Sequence, residues 1–197
     1  GNLTEFILKK KPSKIFVVEK DKNLIDLLKI KFDNKINIIG EDILKISENT
    51  ISKHKLIVFG NLPYNISTKI LTKWITSDKS NWYKSLILMF QKEVANRIIA
   101  NVNSSNYGRL SIISNWKLEI DKIMDISSSC FYPKPKVEST LLKFTPKTQY
   151  FSINSSKNLE MITRIFFSER RKKIKNSFKK IFKNYRSVSE KLDIDLN

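Results

Sequence analysis

The sequence of 197 residues contains a single cysteine, Cys130, and a single histidine, His54. One cysteine excludes an intrachain disulfide, so a reducing, cytoplasmic compartment is the simplest expectation. We expect Cys130 to be a small apolar filler. With one histidine and one cysteine, the sequence favours neither a zinc site nor a histidine-based catalytic triad. We therefore expect no bound metal.

Long apolar stretches are also missing. The sequence has no run of about 18 apolar residues and no charged leader followed by an apolar stretch, so we expect neither a membrane span nor a signal peptide. Hydrophobic residues still make up 41% of the chain, which is enough to fill a core.

Acidic residues are scarce. Asp and Glu total 19 against 37 Lys and Arg, which gives a formal net charge of +18. Such an excess favours a polyanionic partner, with nucleic acid as the first candidate and an anionic membrane surface as the second. The alternative is compositional drift, because an AT-rich genome would raise the Lys, Ile and Asn content without selection for charge.

Strands and helices alternate through most of the sequence, beginning with a helical pattern at Leu3. Short apolar runs predict strands at residues 13–19, 36–39, 56–59, 85–90, 117–125 and 139–144. Helical spacing predicts helices at residues 22–32, 68–76, 91–100 and 109–116. This alternation is typical of an α/β fold, a parallel sheet with helices on both faces.

The composition changes near Pro146, and only helical periodicity follows Ser156. We therefore predict an α/β domain at residues 1–147 and a small, basic, all-α domain at residues 148–197. Between positions 164 and 186, ten basic residues stand against one acid, Glu169. This density favours a phosphate-binding face, although a solvated helix surface is the usual alternative.

One motif stands at the carboxyl end of a predicted strand, where open α/β sheets place their binding sites. Residues 59–67 read Phe-Gly-Asn-Leu-Pro-Tyr-Asn-Ile-Ser. Pro63 fixes its own backbone and favours an extended Leu62, so the Asn61 side-chain carbonyl and the Leu62 backbone carbonyl can face one point. Two such acceptors suit an amine with two hydrogens, such as the exocyclic amine of adenine.

Tyr64 adds a flat face to this motif, on which a base could stack. The alternative is an ordinary turn between a strand and a helix, in which Asn65 or Ser67 caps the helix and Tyr64 is half buried.

Two acids, Glu19 and Asp42, follow consecutive predicted strands. A carboxylate at such a position can accept hydrogen bonds from a ribose diol or an adenine amine, which favours an adenosine-containing cofactor. The alternative is that each carboxylate caps the following helix. A glycine-rich loop normally precedes such an acid, and only Gly1 is available here.

Together these segments resemble the KsgA family of ribosomal RNA adenine dimethyltransferases. The resemblance rests on residues 61–67, Val18-Glu19, Gly40-Glu41-Asp42, Tyr107-Gly108-Arg109-Leu110-Ser111 and Phe131-x-Pro133-x-Pro135-x-Val137-x-Ser139. It implies a Rossmann-like methyltransferase sheet followed by a small helical domain. It also implies S-adenosylmethionine-dependent dimethylation of two adjacent adenosines, in a hairpin near the 3′ end of small-subunit rRNA. We expect a monomer acting in ribosome biogenesis on this rRNA or on a pre-ribosomal small subunit.

The resemblance assigns roles to individual residues. Cofactor contacts fall on Glu19 at the ribose, Asp42 at the adenine, and Gly1, Lys20, Ile43 and Asn61. The catalytic set is Asn61, Leu62, Pro63, Tyr64 and Phe131. In this set Tyr64 and Phe131 sandwich the extruded base, although Phe131 could instead pack on the neighbouring prolines. RNA contacts fall on Arg109, Lys134, Lys136, Arg170, Arg171, Lys172 and Lys173.

Two other functions remain open. The erythromycin-resistance (Erm) methylases modify large-subunit rRNA and share nearly the same central motif, but residues 167–177 resemble the helical domain of the small-subunit enzymes. A non-catalytic RNA-binding or transcription factor descended from the family is the second alternative. The presence of Glu19, Asp42 and Asn61 argues against it.

Overall fold

The computed structural model describes residues 1–77, 82–169 and 171–196. The chain divides into two compact units, Gly1–His54 and Lys55–Asn197. Arg170, one of the predicted RNA contacts, lies outside the described residues. The domain boundary predicted at residue 147 stays a prediction.

The first unit contains two parallel strands and two helices. Its elements are α1 (Asn2–Leu8), β1 (Phe16–Val18), α2 (Lys22–Phe32) and β2 (Asn37–Ile39). Val18 lies opposite Ile39, so the carboxyl ends of β1 and β2 share one edge. Leu28 and Phe32 of α2 form the core of this unit with Ile36.

The second unit is built on a four-stranded sheet. Its strands are β3 (Leu56–Asn61), β4 (Tyr83–Gln91), β5 (Leu118–Ile126) and β6 (Ser139–Pro146), in the order β3-β4-β6-β5. β3 and β4 are parallel, whereas β6 is antiparallel to both β4 and β5. The prediction of a parallel sheet is therefore wrong for β6. Residues 127–138 join β5 to β6 with one 3₁₀ turn and no crossover helix, and strands joined in this way pair antiparallel.

Six helices of the second unit lie within the described residues. They are α3 (Tyr64–Thr76), α4 (Lys92–Ile98), α5 (Arg109–Lys117), α6 (Ser156–Ser168), α7 (Ile174–Ile181) and α8 (Tyr185–Lys191). The apolar stripe predicted for α3 is buried, with Ile70, Leu71 and Ile75 fully inaccessible to solvent. Leu86, Leu88 and Phe90 of β4 and Leu142 and Phe144 of β6 complete this core.

Two local predictions are wrong. The first helix after the central motif begins at Tyr64 rather than at residue 68, because the Pro63 carbonyl accepts hydrogen bonds from Ile66 N at 3.1 Å and Ser67 N at 3.0 Å. Cys130 is exposed rather than a buried filler, since it ends a 3₁₀ turn in the connection between β5 and β6.

Across the described ranges, no helix is long and apolar enough to cross a membrane. Within those same ranges, His, Cys, Asp and Glu side chains form no group of three or more that could hold a metal ion.

Candidate functional site

Asn61 is the last residue of β3 and lies opposite Met89 of β4. Its side chain is exposed, and the described residues supply no hydrogen-bond partner to its amide. The next carbonyl, that of Leu62, has no hydrogen-bond partner among them either. Neither acceptor of the predicted pair is therefore used by a described residue.

Gly60 determines how closely β3 approaches its neighbour at this point. A Cβ atom at position 60 would lie 2.8 Å from Leu88 Cδ2 and 3.1 Å from Leu62 Cδ2. Leu88 is fully buried, so it has no free space to move into. The glycine is required here because the backbone passes directly over a packed side chain.

The turn after Asn61 does not use the polar residues of the motif as helix caps. Pro63 is the N-cap of α3, and no side chain caps this helix. The Ser67 hydroxyl donates instead to the Tyr64 carbonyl at 3.1 Å. The alternative in which Asn65 or Ser67 caps the helix is therefore wrong.

Tyr64 is half buried, and its hydroxyl lies 2.7 Å from Oγ of Ser139. Ser139 is fully buried at the start of β6, opposite Gln91 of β4 and Ile126 of β5. The sequence analysis identified Ser139 only as the last residue of the motif Phe131-x-Pro133-x-Pro135-x-Val137-x-Ser139 and assigned it no role. A contact between residues 75 positions apart has no local signal in the sequence.

Ionic and hydroxyl contacts surround the start of β6. Lys92 Nζ lies 2.6 Å from Glu138 Oε2, and Lys92 N donates to the Glu138 carbonyl at 2.9 Å. Asp125 accepts from Lys122 at 2.9 Å and from Thr140 Oγ1 at 2.7 Å. Both hydrogen bonds lower the pKa of Asp125, and the one from Lys122 has the larger effect. The network joins the first turn of α4, the end of β5 and the start of β6.

Phe131 is half buried and follows the 3₁₀ turn in the connection between β5 and β6. Among the described residues no ring contact joins it to Tyr64. The two rings predicted to sandwich a base are therefore not packed on each other. Lys134 and Lys136 are exposed in the same connection.

In the first unit, Glu19 directly follows β1, and its backbone N donates to the Ile39 carbonyl at 3.1 Å. Its Oε1 accepts from Lys20 N at 2.8 Å and from Asp21 N at 3.0 Å. The cap of α2 is Asp21, whose carboxylate accepts from two backbone amides of the first turn. Glu19 is therefore not a helix cap, and no described residue hydrogen-bonds its other oxygen, Oε2.

Asp42 follows β2 at the same edge of the two-stranded sheet. Its Oδ1 accepts from Leu44 N at 2.9 Å. A turn and a short 3₁₀ segment (Glu48–Thr50) come next, so Asp42 has no α-helix to cap. Gly1 is the N-cap of α1, which agrees with its predicted place before a helix.

The edge shared by β1 and β2 carries two carboxylates that can accept hydrogen bonds from a ligand. Glu19 and Asp42 each use one carboxylate oxygen to hold the local backbone and leave the other without a described partner. Free carboxylate oxygens accept hydrogen bonds from ribose hydroxyls and from an adenine amine. Lys20 is exposed and Ile43 half buried beside them. The residues present thus fit an adenosine-containing group.

Two of the predicted RNA contacts already have acidic partners. Arg109 Nη2 lies 3.1 Å from Glu160 Oε2, at the wall of a cleft of about 830 Å³ between α3, α5 and α6. Lys172 Nζ lies 3.8 Å from Glu169 Oε1, which Lys180 approaches to 2.9 Å. Arg171 and Lys173 are exposed.

Sequence reasoning missed a cluster of cations around Tyr185, at the start of α8. Lys179 Nζ lies 5.4 Å from the centre of its ring, and Arg186 Cζ lies 5.9 Å away. A hydrogen bond from Arg186, with the charges of Arg186, Lys179 and Lys175, lowers the pKa of Tyr185. Within the described part of the chain, no carboxylate pairs with any of these three cations. The sequence shows many cations in this region, but it does not show that several of them lie close to the ring of Tyr185.

Comparison with known proteins identifies the family. Residues 1–196 match the family described as ribosomal RNA adenine dimethylase. The chain belongs to this family. The resemblance drawn from its motifs is confirmed, as is the predicted enzyme class.

Relatives of this dimethylase agree with the assignment. The chain is 62% identical over 198 residues to the "Ribosomal RNA small subunit methyltransferase A" of Pelagibacter ubique, covering all of this chain and 76% of the relative. It is 40% identical over 201 residues to the protein of the same name from Ehrlichia ruminantium, again covering all of this chain and 76% of the relative.

Solved structures confirm the predicted fold class for this dimethylase. A dimethyladenosine transferase from Plasmodium falciparum matches with a TM-score of 0.70 and 28% identity, covering 93% of this chain and 68% of that one. The 23S rRNA methyltransferase ErmE matches with a TM-score of 0.64 and 18% identity, covering 91% of this chain and 71% of that one. The second likeness concerns the fold alone.

Proposed function

We propose that this dimethylase transfers methyl groups from S-adenosylmethionine to the N6 amines of two adjacent adenosines, in a hairpin near the 3′ end of small-subunit rRNA. Each adenosine receives two methyl groups. The substrate is this rRNA or a pre-ribosomal small subunit, and the enzyme acts as a monomer in the cytoplasm. Family membership supports rRNA adenine as the target. The two relatives are small-subunit rRNA methyltransferases by name, which supports the small subunit as the source of the target RNA.

The observation that carries this proposal is the free Asn61 amide at the end of β3, followed by a proline-fixed turn and the ring of Tyr64. An amino group placed there can donate one hydrogen to the Asn61 side-chain oxygen and the other to the Leu62 carbonyl. Both donations fix the direction of the nitrogen lone pair. Tyr64 and Phe131 supply the aromatic faces for the extruded base.

Methyl transfer depends more on how the protein aligns the target amine with the methyl group than on acid or base groups of the protein. The bound cofactor supplies a methyl group that its sulfonium already activates. Asn61 and Leu62 orient the amine for in-line attack, a positional effect that can lower a barrier by several kcal/mol, up to about 7–11 in well-oriented systems. The proton can leave the nitrogen after transfer, so the reaction does not require a histidine as a general base.

Glu19 and Asp42 are the residues that would hold the cofactor, at its ribose and its adenine. Their free oxygens support this assignment. Gly1, Lys20, Ile43 and Asn61 complete the proposed cofactor contacts. In dinucleotide-binding folds an acidic residue of this kind hydrogen-bonds the ribose.

The RNA contacts that we propose lie on exposed cations. Lys134 and Lys136 follow Phe131 in the connection between β5 and β6, and Arg171 and Lys173 precede α7. The Tyr185 cluster adds three cations that no described carboxylate neutralises. Phosphate contacts of this kind make affinity fall with salt concentration.

The experiment that tests the function has two steps. Calorimetric titration with S-adenosylhomocysteine should give micromolar binding, a free energy of about −8 kcal/mol. Incubation with S-adenosylmethionine and unmethylated small-subunit particles should then yield dimethyladenosine at two adjacent positions. RNA binding without cofactor binding would favour a non-catalytic factor, and methylation of large-subunit RNA alone would favour an Erm-type enzyme.

A further inference from the structure

We propose that Ser139 is a positioning residue, whose hydroxyl holds the Tyr64 ring in the orientation that stacks on the target adenine. This inference rests on the proposed function, since it takes Tyr64 as the stacking residue. Ser139 itself does not touch the base.

The Tyr64 ring is held at both of its ends. At the backbone end, Tyr64 is the first residue of α3 and directly follows Pro63, whose own backbone conformation is fixed. At the far end of the ring, the hydroxyl lies 2.7 Å from Ser139 Oγ. Rotation of the side chain away from this position would break the hydrogen bond, and a half-buried ring has room to rotate only on its open side.

Ser139 is a rigid anchor because three strands fix its position. It is fully buried and pairs with Gln91 at the end of β4 and with Ile126 at the end of β5. The residues on either side of it are also tied down, Glu138 to Lys92 and Thr140 to Asp125. Ser139 therefore lies where the ends of β4 and β5 pair with the start of β6. Its position changes only if these paired strand ends move.

A fixed aromatic face lowers the cost of ordering the ring when the base arrives. A neutral hydrogen bond contributes about 1 kcal/mol, and immobilising a side chain costs a similar amount. Loss of the anchor should therefore weaken stacking, and with it kcat/KM for RNA, roughly 5- to 10-fold. Affinity for the cofactor should not change.

The test uses Ser139→Ala, Tyr64→Phe and the double variant. Tyr64→Phe removes the same hydrogen bond from a half-buried position, so it remains informative if Ser139→Ala fails to fold. Each single variant should lower kcat/KM by the stated factor, and the double variant should be no worse than either. Equal losses from Ser139→Ala in the wild-type and Tyr64→Phe backgrounds would overturn the proposal, because the serine would then act independently of the tyrosine hydroxyl.

Ser114→Ala is the matched control. Ser114 is also fully buried, on α5, and no described residue hydrogen-bonds its hydroxyl. This variant loses a buried hydroxyl without losing a tether, so kcat/KM should stay within about twofold of the wild-type value, the change that a few tenths of a kcal/mol produces. A loss as large as that of Ser139→Ala would mean that any buried hydroxyl deletion has the same effect, which contradicts a positioning role.

Stacking is read directly with 2-aminopurine at the target position of an RNA hairpin, since its fluorescence is quenched by an aromatic neighbour. Ser139→Ala should reduce the quenching while RNA affinity stays nearly constant. This readout needs no methyl transfer. Quenching that depends on Ser139 in an inactive enzyme would keep the positioning role and reject the proposed function. Active enzyme with quenching unchanged by Ser139→Ala would reject the positioning role alone.

Discussion

Arg109 on α5 and Glu160 on α6 form an ion pair, with Nη2 and Oε2 3.1 Å apart. The Nε atom of Arg109 is buried and has no hydrogen-bond partner within the described residues. The guanidinium that sequence reasoning assigned to RNA therefore already joins α6 to the helix that precedes β5. Its role in RNA binding stays a prediction.

This pair gives a prediction for stability. Arg109→Gln and Glu160→Gln should each lower the free energy of unfolding by no more than about 1 kcal/mol, because both side chains are partly exposed and solvent screens the pair. The double variant should cost little more than either single variant in urea denaturation. Additive losses would mean that the two side chains stabilise the protein separately. If Arg109 also contacts phosphate, Arg109→Gln alone should reduce the salt dependence of RNA binding, and Glu160→Gln should not.

Asn61→Ala should abolish methyl transfer and leave RNA affinity nearly intact. Alanine removes the acceptor that orients the target amine, whereas phosphate contacts lie on other residues. Methyl incorporation and fluorescence anisotropy of labelled RNA would measure the two properties. Asn65→Ala, an exposed asparagine on the first turn of α3, is the control and should keep activity. Parallel loss of transfer and RNA binding would contradict the role assigned to Asn61.

Glu19→Gln should weaken binding of S-adenosylhomocysteine by about 10- to 100-fold, since a hydrogen bond to a charged group contributes about 1.5–3 kcal/mol. The amide oxygen can still accept from Lys20 N and Asp21 N, so the local backbone should persist. Calorimetry measures the change. Asp26→Asn removes the same charge from α2 and should leave the affinity unaltered. If both variants bind equally well, Glu19 does not contact the cofactor.

The Tyr185 cluster predicts a change in salt dependence. Replacing Lys179 and Arg186 by Gln should reduce the slope of log affinity against log salt by about 1.4–1.8, if each cation contacts one phosphate. Anisotropy titrations between about 50 and 200 mM salt give the slope. Replacing Lys9 and Lys29 by Gln removes the same charge from the first unit and should reduce the slope much less. Equal slopes in the two double variants would mean that only the net charge matters.

Asp125 predicts a dependence of stability on pH. Its pKa is lowered from an ordinary value of 3.8, first by the hydrogen bond from Lys122. A depressed pKa means that the carboxylate stabilises the folded state above the unfolded pKa, and that this contribution is lost as the pH falls through the folded pKa. Asp125→Asn should therefore flatten the loss of stability below about pH 4. Thermal unfolding between about pH 2 and pH 6 measures this loss, and an unchanged profile would contradict it.

Much of the local structure follows from the sequence. Helix α2 has the predicted bounds because its apolar spacing and its acidic N-cap region agree. The strand that ends at Asn61 was recognised from its apolar run, although it extends two residues further than predicted. Three features were not predictable. The antiparallel direction of β6 depends on how residues 127–138 connect β5 to its neighbour β6, Asp21 rather than Glu19 caps α2, and the Tyr64–Ser139 contact joins distant segments.

Gly60 has a consequence for how variation at this site would be interpreted. Its missing side chain leaves a clearance over Leu88 that even a methyl group would close, so Gly60→Ala should displace the end of β3 by a few tenths of an ångström. That shift would carry Asn61 with it. A mutational survey would then score position 60 as catalytic, although it presents no chemical group to a substrate. The reason is that the position of the Asn61 side-chain amide depends on the absence of a side chain at Gly60.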